Sequence, residues 1–596
     1  VNTRTQRACF YSLIGICFVW LLHVTWFRWG HLIVDTFRDQ WVFYQISKGK
    51  VLYRDIFYFY GFLPPYLMGC IYRLFGPSLA WTVYVGIAVT VVTSVSVYRI
   101  GRIFFSRVIA TFLVLNFLFL FAFGHYGVGD ICNFILPYSF ASTLCIMFLL
   151  GGIFCLLKYL QRARMSYLRW WVILFACGFF SRIEFSAAAW LVSFFIGAAH
   201  SVLYKQPRRI AYFIAAPALA VIGYGIFVAA NNASEGFSES AFRFFSFVGS
   251  GKSHFSLLTS GFFEFWPNVR TGLIMFAIHV IMLGCFYALS AKLHEAGEKI
   301  QGKAMPSLSA LLLALCSFWI SRKVSNYMML SQYSLLPFLL FFGIVLYGFQ
   351  IIKNRKQTSA APWAGCTLFA VALALIMRII LKAGPFGYGF FLGIPALICY
   401  FIFCFSLYPS LFAETFVFKG RVVSYYRLCV AVFLVVAAAP FFLFGPMMYG
   451  QRTLKLDFGP KAAFYYYSDE LTQRYLETFL YLHDNTKEGD SIVVMPEGVG
   501  LNYLLGRDNP LPYDTFLPDQ VFYIGEEKII ALLAQHAIDY IVVWTRLSAE
   551  YGYTSFGVDY GAKIFQWVKG HYALEKQIGP FPFGTSEFGV AIYKRQ

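Results

Sequence analysis

The sequence predicts a polytopic α-helical membrane protein, with about thirteen transmembrane helices and a C-terminal extracytoplasmic α/β domain. Three observations carry this. Of the 596 residues, 59% are hydrophobic and only 13% charged, with a mean hydropathy of +0.64, whereas soluble domains average about 25% charged residues. Lys and Arg fall in short clusters that occupy every second connection between apolar runs. Past Pro446 the composition turns water-compatible over a stretch of domain size.

A spanning helix needs about 20 apolar residues. Candidate spans lie near 8–27, 78–98, 106–123, 134–157, 168–181, 184–203, 209–229, 269–291, 306–320, 333–352, 363–382, 389–410 and 428–446. The runs at 168–181 and 306–320 are short for this role. Basic residues stay on the cytoplasmic side. Arg4 and Arg7 put the N-terminus inside. The clusters at Arg99/Arg102/Arg107, Lys158/Arg162/Arg164/Arg169, Lys205/Arg208/Arg209, Lys292/Lys299/Lys303, Lys353/Arg355/Lys356 and Lys419/Arg421/Arg427 then keep step. This register places the first loop, residues 28–77, and the C-terminal part, residues 447–596, outside. Residues 1–446 form the membrane domain.

The start of the chain, a basic stretch followed by apolar Ala8–Leu22, has the shape of a signal peptide. It lacks an A-x-A cleavage site and runs into Trp26, Phe27, Arg28 and Trp29, so an uncleaved signal anchor is expected. The net charge of +19 is spread as topology signals and not as a nucleic-acid face. The 13 cysteines lie almost all in apolar runs, without CxxC or Cys/His metal spacing.

The first loop opens with His31–Pro65, which carries Asp35, Asp39 and Asp55 among aromatics. Asp39–Ser47 is expected to be an interfacial helix capped by Gly49. Phe62–Phe75 is expected to lie at the outer interface with Pro64 or Pro65 in its first turn, because a span there would throw the Arg99 cluster outside. The other outer connections are short and polar. Gly124–Asn133 brings His125 and Asp130, and Ser181–Glu184 brings Arg182 and Glu184. The Asn231–Asn268 loop holds Arg243, Lys252, His254 and Glu264. Ser321–Tyr333 holds Arg322, Lys323, Asn326 and Tyr333, and Gly384–Gly389 is small and flexible. Ionisable groups thus gather on one side at loop level, where a channel or proton-coupled transporter would place them mid-span.

In the C-terminal part, Ser468–Thr486 reads as a helix with Leu471, Tyr475, Phe479 and Leu482 on one face. Asp490–Met495 and Tyr540–Trp544 read as strands, Glu526–His536 and Phe556–Lys569 as helices, and Val590–Tyr593 as a final strand. No GxGxxG or Walker A motif occurs.

Asp35 is the candidate catalytic base, with Asp39 its candidate partner. At i, i+4 the two share a helix face, and mutual repulsion raises one carboxyl toward the range of a general base. The alternative for Asp35 is a helix cap, and for Asp39 plain solvation. The aromatic run Lys50–Tyr60, with Tyr53 and Tyr60, suits either an interface belt or stacking on a sugar or isoprenoid. Asp55 suits a pair with Arg54. Arg182 either pairs with Glu184 or faces a phosphate, which a planar guanidinium grips with two bonds. Arg243, Lys252, Arg322 and Lys323 are further phosphate candidates. His125 and Asp130 are metal-ligand types, but a lone pair makes no site. Glu497, Asn502, Tyr503 and Tyr513 border either the pocket or only their own loop.

An aspartate directly after the first span, then Gly49-x-x-x-Tyr53-x-Asp55, Pro64-Pro65 and Phe75-Gly76, resembles the first outer loop of the GT-C glycosyltransferases. The likeness is to the branch with protein O-mannosyltransferases and the lipid A aminoarabinose transferase. The Arg182-Ile183-Glu184 turn and the span layout with a terminal outer domain agree with it. Residues 495–513 look like the outer domain of bacterial members. The motif-level likeness is confined to residues 31–76, 124–138, 181–184 and 495–513. The family often has adjacent Asp-Glu where this chain has Asp35-Thr36, which leaves the second acid open.

The resemblance implies an inverting transfer of a sugar from a polyprenyl-phosphate donor to an extracytoplasmic acceptor, a glycolipid, polysaccharide or protein. Asp35, with Asp39, would activate the acceptor, and Arg182, Arg322 and Lys252 would steady the departing phosphate. Tyr53, Asp55, Tyr60, His125, Asp130, Tyr138, Arg182, Glu184, Lys252, Arg322 and Tyr333 are the expected substrate-binding residues. No cofactor is expected, and a divalent metal has no clear site. The expected location is a bacterial plasma membrane, in contact with lipid and not nucleic acid. The rival readings are a lipid-linked sugar flippase or other transporter and a non-catalytic envelope-assembly protein.

Overall fold

The computed structural model describes residues 3–125, 132–299, 333–353, 360–384, 387–411, 420–583 and 586–596. Among the described residues, 10 helical stretches are long and apolar enough to cross a membrane, running from Ala8–Thr25 to Val422–Gly450. Arg107–Ala122 and Met165–Ser181 are apolar but shorter. Both fall on expected spans, and the expected span at 306–320 lies outside the described residues. The chain is a multi-pass membrane protein.

The helices differ in place as their sequences differ in polarity. Phe140–Arg162 and Phe390–Leu411 are 78% and 89% buried within the protein, so they form the centre of the bundle, while Ala8–Thr25 is 11% buried and lies at its rim. Several hydroxyls inside the spans are satisfied locally. Thr90, Thr93 and Ser94 each donate to the carbonyl four residues earlier, at 2.7–2.8 Å, which keeps a buried polar atom from standing bare in an apolar medium.

At one end of the bundle the first loop forms two helices, Thr36–Ser47 and Leu63–Phe75. The first is buried along nearly its whole length. It ends as expected at Gly49, whose φ of 96° is open to glycine. Gly49 N–H donates to Ile46 O and Lys50 N–H to Gln45 O, which ties off two end carbonyls. The second helix starts with Pro64-Pro65 and buries Pro64, Pro65, Met68, Gly69 and Tyr72 on one face, with Leu74 and Phe75 exposed on the other. Its 13 residues span only about 20 Å, too short for the hydrocarbon core.

The C-terminal region begins with the antiparallel pair β1 (Leu454–Asp457) and β2 (Ala463–Tyr466). A four-stranded sheet follows, built from β3 (Ile492–Met495), β4 (Tyr540–Trp544), β5 (Tyr572–Ile578) and β6 (Val590–Arg595) in the order β3-β4-β6-β5. β3 and β4 are parallel, and β4–β6 and β6–β5 antiparallel. Every residue of β3 and β4 is buried, as their unbroken apolar runs require of strands covered on both faces. The Glu526–His536 helix has its expected bounds. The helix expected at Phe556–Lys569 begins later, at Ala562. Asp559 accepts the amides of Thr554 and Ser555 and folds that stretch as a turn. β1, β2 and β5 were not expected. They are short and alternate or are charged, and pairing makes them strands: β1 with β2, and β5 with β6.

Candidate active site

The first loop, the bundle end and the C-terminal region enclose a cavity of about 740 Å³, its mouth included. The first loop supplies Asp35, Arg38, Phe59 and Tyr60. The bundle end supplies Tyr138, Arg182, Arg378 and Tyr388. The C-terminal region supplies Glu497, Asp519, Gln520, Arg546 and Tyr551.

Asp35 occupies an unusual piece of backbone. Thr36 N–H donates to Val34 O at 2.6 Å across a three-residue turn with Asp35 at its centre, at φ 56°, ψ −49°. This is the disfavoured hand of the γ-turn, and a non-glycine residue held there stores strain. His31 staples the turn: its Nδ1 accepts Ile33 and Val34 N–H at 3.2 Å, and its own N–H donates to Thr36 Oγ1 at 3.0 Å. Burial, with Arg452 and Arg546, pushes the His31 imidazole down to about 3, so it stays neutral and keeps that acceptor.

Asp35 stands at the N-cap position of its helix but makes no capping bond. Its carboxylate is buried at the cavity wall and has no donor partner among the described residues. Burial raises its pKa well above the ordinary range, and Glu497 adds to this against the opposing charges of Arg38 and Arg546. A desolvated, unpaired carboxylate of raised basicity is suited to take a proton.

Arginines surround it in different states. Arg38 is held by Asp514 at 2.7 and 3.0 Å. Arg182 stacks 4.0 Å from the Tyr60 ring and is bound by Glu184 at 2.7 Å and Ser142 at 2.6 Å. Arg546 is bound by Glu497 at 3.1 Å and Glu550 at 2.7 Å. Arg378, at the end of the Ala360–Ile376 helix and its following turn, has no acid partner among the described residues and is exposed.

The cavity gathers Asp35, Tyr60, Tyr138 and Arg182 of the expected residues, and Glu497 of those that bordered either the pocket or their own loop. Tyr60 and Tyr138 share a hydrogen bond of 2.8 Å. Asp39 does not line the cavity. It accepts Phe140 N–H at 2.8 Å and so anchors the start of the Phe140–Arg162 helix, and burial raises its carboxyl to about 6. Tyr53 donates to Tyr60 O at 2.5 Å from behind. Glu184 serves as the partner of Arg182, and Asp55 pairs with Arg54 at 2.8 Å, which lowers its pKa. His125 bonds Tyr467 at 3.0 Å and packs on Tyr449, away from the cavity. Tyr333 lines a separate, largely apolar cavity of about 600 Å³ among the spans. Asp130, Arg322 and the side chain of Lys252 lie outside the described residues.

Sequence reasoning missed Arg38, Arg378, Tyr388, Asp519, Gln520, Arg546 and Tyr551. Only Arg378 had a usable signal, as a lone charge inside an otherwise apolar run.

No protein-family model matches the chain, and no curated protein matches it in sequence. Solved structures do. Archaeal oligosaccharyltransferase AglB from Archaeoglobus fulgidus, in complex with an inhibitory peptide and a dolichol-phosphate, matches over 99% of this chain and 74% of its own, at 12% identity and a TM-score of 0.50. The Archaeoglobus fulgidus oligosaccharyltransferase tethered to an acceptor peptide with the NVT sequon matches over 100% and 75%, at 12% identity and a TM-score of 0.51. ArnT from Cupriavidus metallidurans bound to undecaprenyl phosphate covers 99% and 98% at 10% identity. Its TM-score is 0.40. The chain shares its fold with these archaeal oligosaccharyltransferase structures.

Proposed function

We propose that the chain is an integral membrane glycosyltransferase that moves a sugar from a polyprenyl-phosphate donor to an extracytoplasmic acceptor with inversion. One observation carries the reading. The unpartnered carboxylate of Asp35, on a strained turn, faces a cavity that also holds the guanidinium groups of Arg182 and Arg378. Base and anion-binding groups thus meet in one space, closed on its far side by the C-terminal region.

In this mechanism Asp35 takes the proton of an acceptor hydroxyl or amine. The freed lone pair attacks the anomeric carbon from the face opposite the phosphate. The carbon–oxygen bond to phosphate breaks, and the phosphate leaves with the electron pair. Arg182 spends most of its five N–H donors on Glu184, Ser139 and Ser142, so Arg378 is the main partner of the departing anion. The archaeal oligosaccharyltransferase holds a dolichol-phosphate, and a lipid phosphate fits the same division here: lipid in the bilayer, phosphate at the bundle end, and the donor's sugar in the cavity.

The same reading divides the chain into a membrane domain, residues 1–446, and an outer domain, residues 447–596. It sets both the cavity and the outer domain on the periplasmic side of a bacterial plasma membrane, in the register of the basic clusters. The test is Asp35→Asn. Mass spectrometry of surface glycans and glycolipids identifies the product lost without the gene, and the variant restores none of it although it inserts and folds. Wild-type-like transfer by that variant rejects the reading.

A further inference from the structure

The sequence leaves the second acid of the site open, and Asp39 is spent on the amide of Phe140. Another carboxylate, Glu497 of the C-terminal region, lines the same cavity as Asp35. Glu497 follows β3 in a loop built to hold it. Gly498 sits at φ 148°, where any Cβ would stand 1.9 Å from the Trp544 ring. The Trp544 indole N–H donates to Glu497 O at 2.6 Å, and Phe516 N–H donates to Pro496 O at 2.6 Å. Arg546 Nε holds Glu497 Oε2 at 3.1 Å, which leaves Oε1 without a donor among the described residues. Glu497 is 4% exposed and Asp35 8%, and both line the one cavity.

We propose that Glu497 is the second carboxylate of the site: the C-terminal region places it beside Asp35, so that the acceptor's proton is received by a pair of acids and not by a lone one. Glu497 acts through Asp35 and is a positioning residue. The proposal rests on the glycosyltransferase reading for the reaction it serves. Two like charges in a desolvated space repel, and one proton relieves that repulsion. As the acceptor's X–H bond breaks, its proton bonds to Asp35 and the pair falls from two negative charges to one. The X–C bond to the anomeric carbon forms while the C–O bond to phosphate breaks, and the phosphate takes the electron pair.

Arg182, Arg378 and Asp519 line the same cavity, but the charges that act most on Asp35 besides Glu497 are others. Arg38 and Asp39 come from its own helix, and Arg546 from the C-terminal region. Cys132, Tyr138, Tyr388 and Tyr551 also feel Asp35, and burial holds each of them in its protonated form. Glu497 is the strongest of the charges that raise Asp35, and Arg546 opposes it.

Infrared difference titration of the full chain in lipid nanodiscs tests this without substrate. The protonated carboxyl band that Asp35→Asn removes reports Asp35. Glu497→Gln should weaken the proton affinity of Asp35 at least tenfold, Glu497→Asp should restore it, and Arg546→Gln should move it the other way. In the transfer assay, the acid limb of kcat/KM should follow the same directions. An unmoved Asp35 midpoint in folded Glu497→Gln, or a uniform loss of rate with an unmoved limb, overturns the proposal. Failure of the wild-type chain to transfer sugar, with the infrared shifts intact, overturns the enzymatic reading instead.

Discussion

Arg38 and Asp514, 476 positions apart, meet as a two-bond ion pair at 2.7 and 3.0 Å. The Asp514 side chain is 1% exposed and that of Arg38 10%, and Arg38 lies 4.8 Å from the centre of the Phe59 ring. The pair ties the helix that carries Asp35 to the region that carries Glu497. Lys50 and Gln45 add bonds of 3.0–3.1 Å to Asp508 nearby.

Removing one member of a buried pair leaves the other charge uncompensated, at about 3–5 kcal/mol. Asp514→Asn is therefore expected to lower the apparent unfolding free energy of the chain in nanodiscs by about that amount. Arg38→Lys should rescue neither stability nor transfer, since an ammonium cannot make the two parallel bonds. A double-mutant cycle over both positions measures the coupling. Additive losses would show that the contact does not join the two parts.

Arg378 should behave in the opposite manner. It is exposed and has no acid partner among the described residues, so Arg378→Ala is expected to leave thermal stability within about 0.5 kcal/mol of wild type. If it receives the departing phosphate, the same variant loses about a hundredfold in kcat/KM. Binding of undecaprenyl phosphate to the full chain should weaken in parallel, and Arg378→Lys should recover part of it. Unchanged binding and turnover would remove Arg378 from the site.

Much of this was legible in the sequence, and the limits have physical causes. Apolar length and alternating basic clusters are local properties, so most of the helix positions and the short Leu63–Phe75 helix could be read directly. Asp35 was legible as an acid that follows a span. Whether it capped its helix was not, because that depends on a single pair of backbone angles. Asp39 shares a helix face with Asp35, yet its partner Phe140 lies 101 positions away. Glu497 could be read only as bordering either the pocket or its own loop, and it reaches the cavity with Arg546 and Asp519 because the C-terminal region folds back over the first loop. Their chain neighbours carry no trace of that contact.

Asp39 offers a test of that distinction. Its folded carboxyl is raised to about 6, against about 3.9 unfolded. The folded state therefore holds the proton more tightly, and stability falls as pH rises from about 4 to 6. Asp39→Asn keeps an oxygen for Phe140 N–H and removes the buried charge. It is expected to match wild type near pH 4, to exceed it by about 1–3 kcal/mol near pH 7, and to keep its turnover. Thermal melts at several pH values and one transfer assay decide this. A folded but inactive Asp39→Asn would return Asp39 to the chemistry.

Asp35 carries two costs that a purely structural residue would not keep. One is the strained turn at φ 56°, ψ −49°, worth about 1–3 kcal/mol. The other is a buried carboxylate whose folded pKa lies above its unfolded one. For such an acid the stabilising protonated form is fully present below the unfolded pKa, and the stability is lost as pH rises from there to the folded pKa. Asp35→Asn removes only the second cost, so its margin over wild type should be small near pH 4 and widen as pH rises. Asp35→Gly also relieves the turn, because glycine enters positive φ freely. It should melt above Asp35→Asn at every pH, offset in part by the greater freedom of the unfolded chain. Both variants should be inactive. A stabilised, inactive pair is the signature of a residue held against its own preferences for chemistry, whereas a destabilised Asp35→Gly would make the turn a structural need and weaken the assignment of Asp35 as the base.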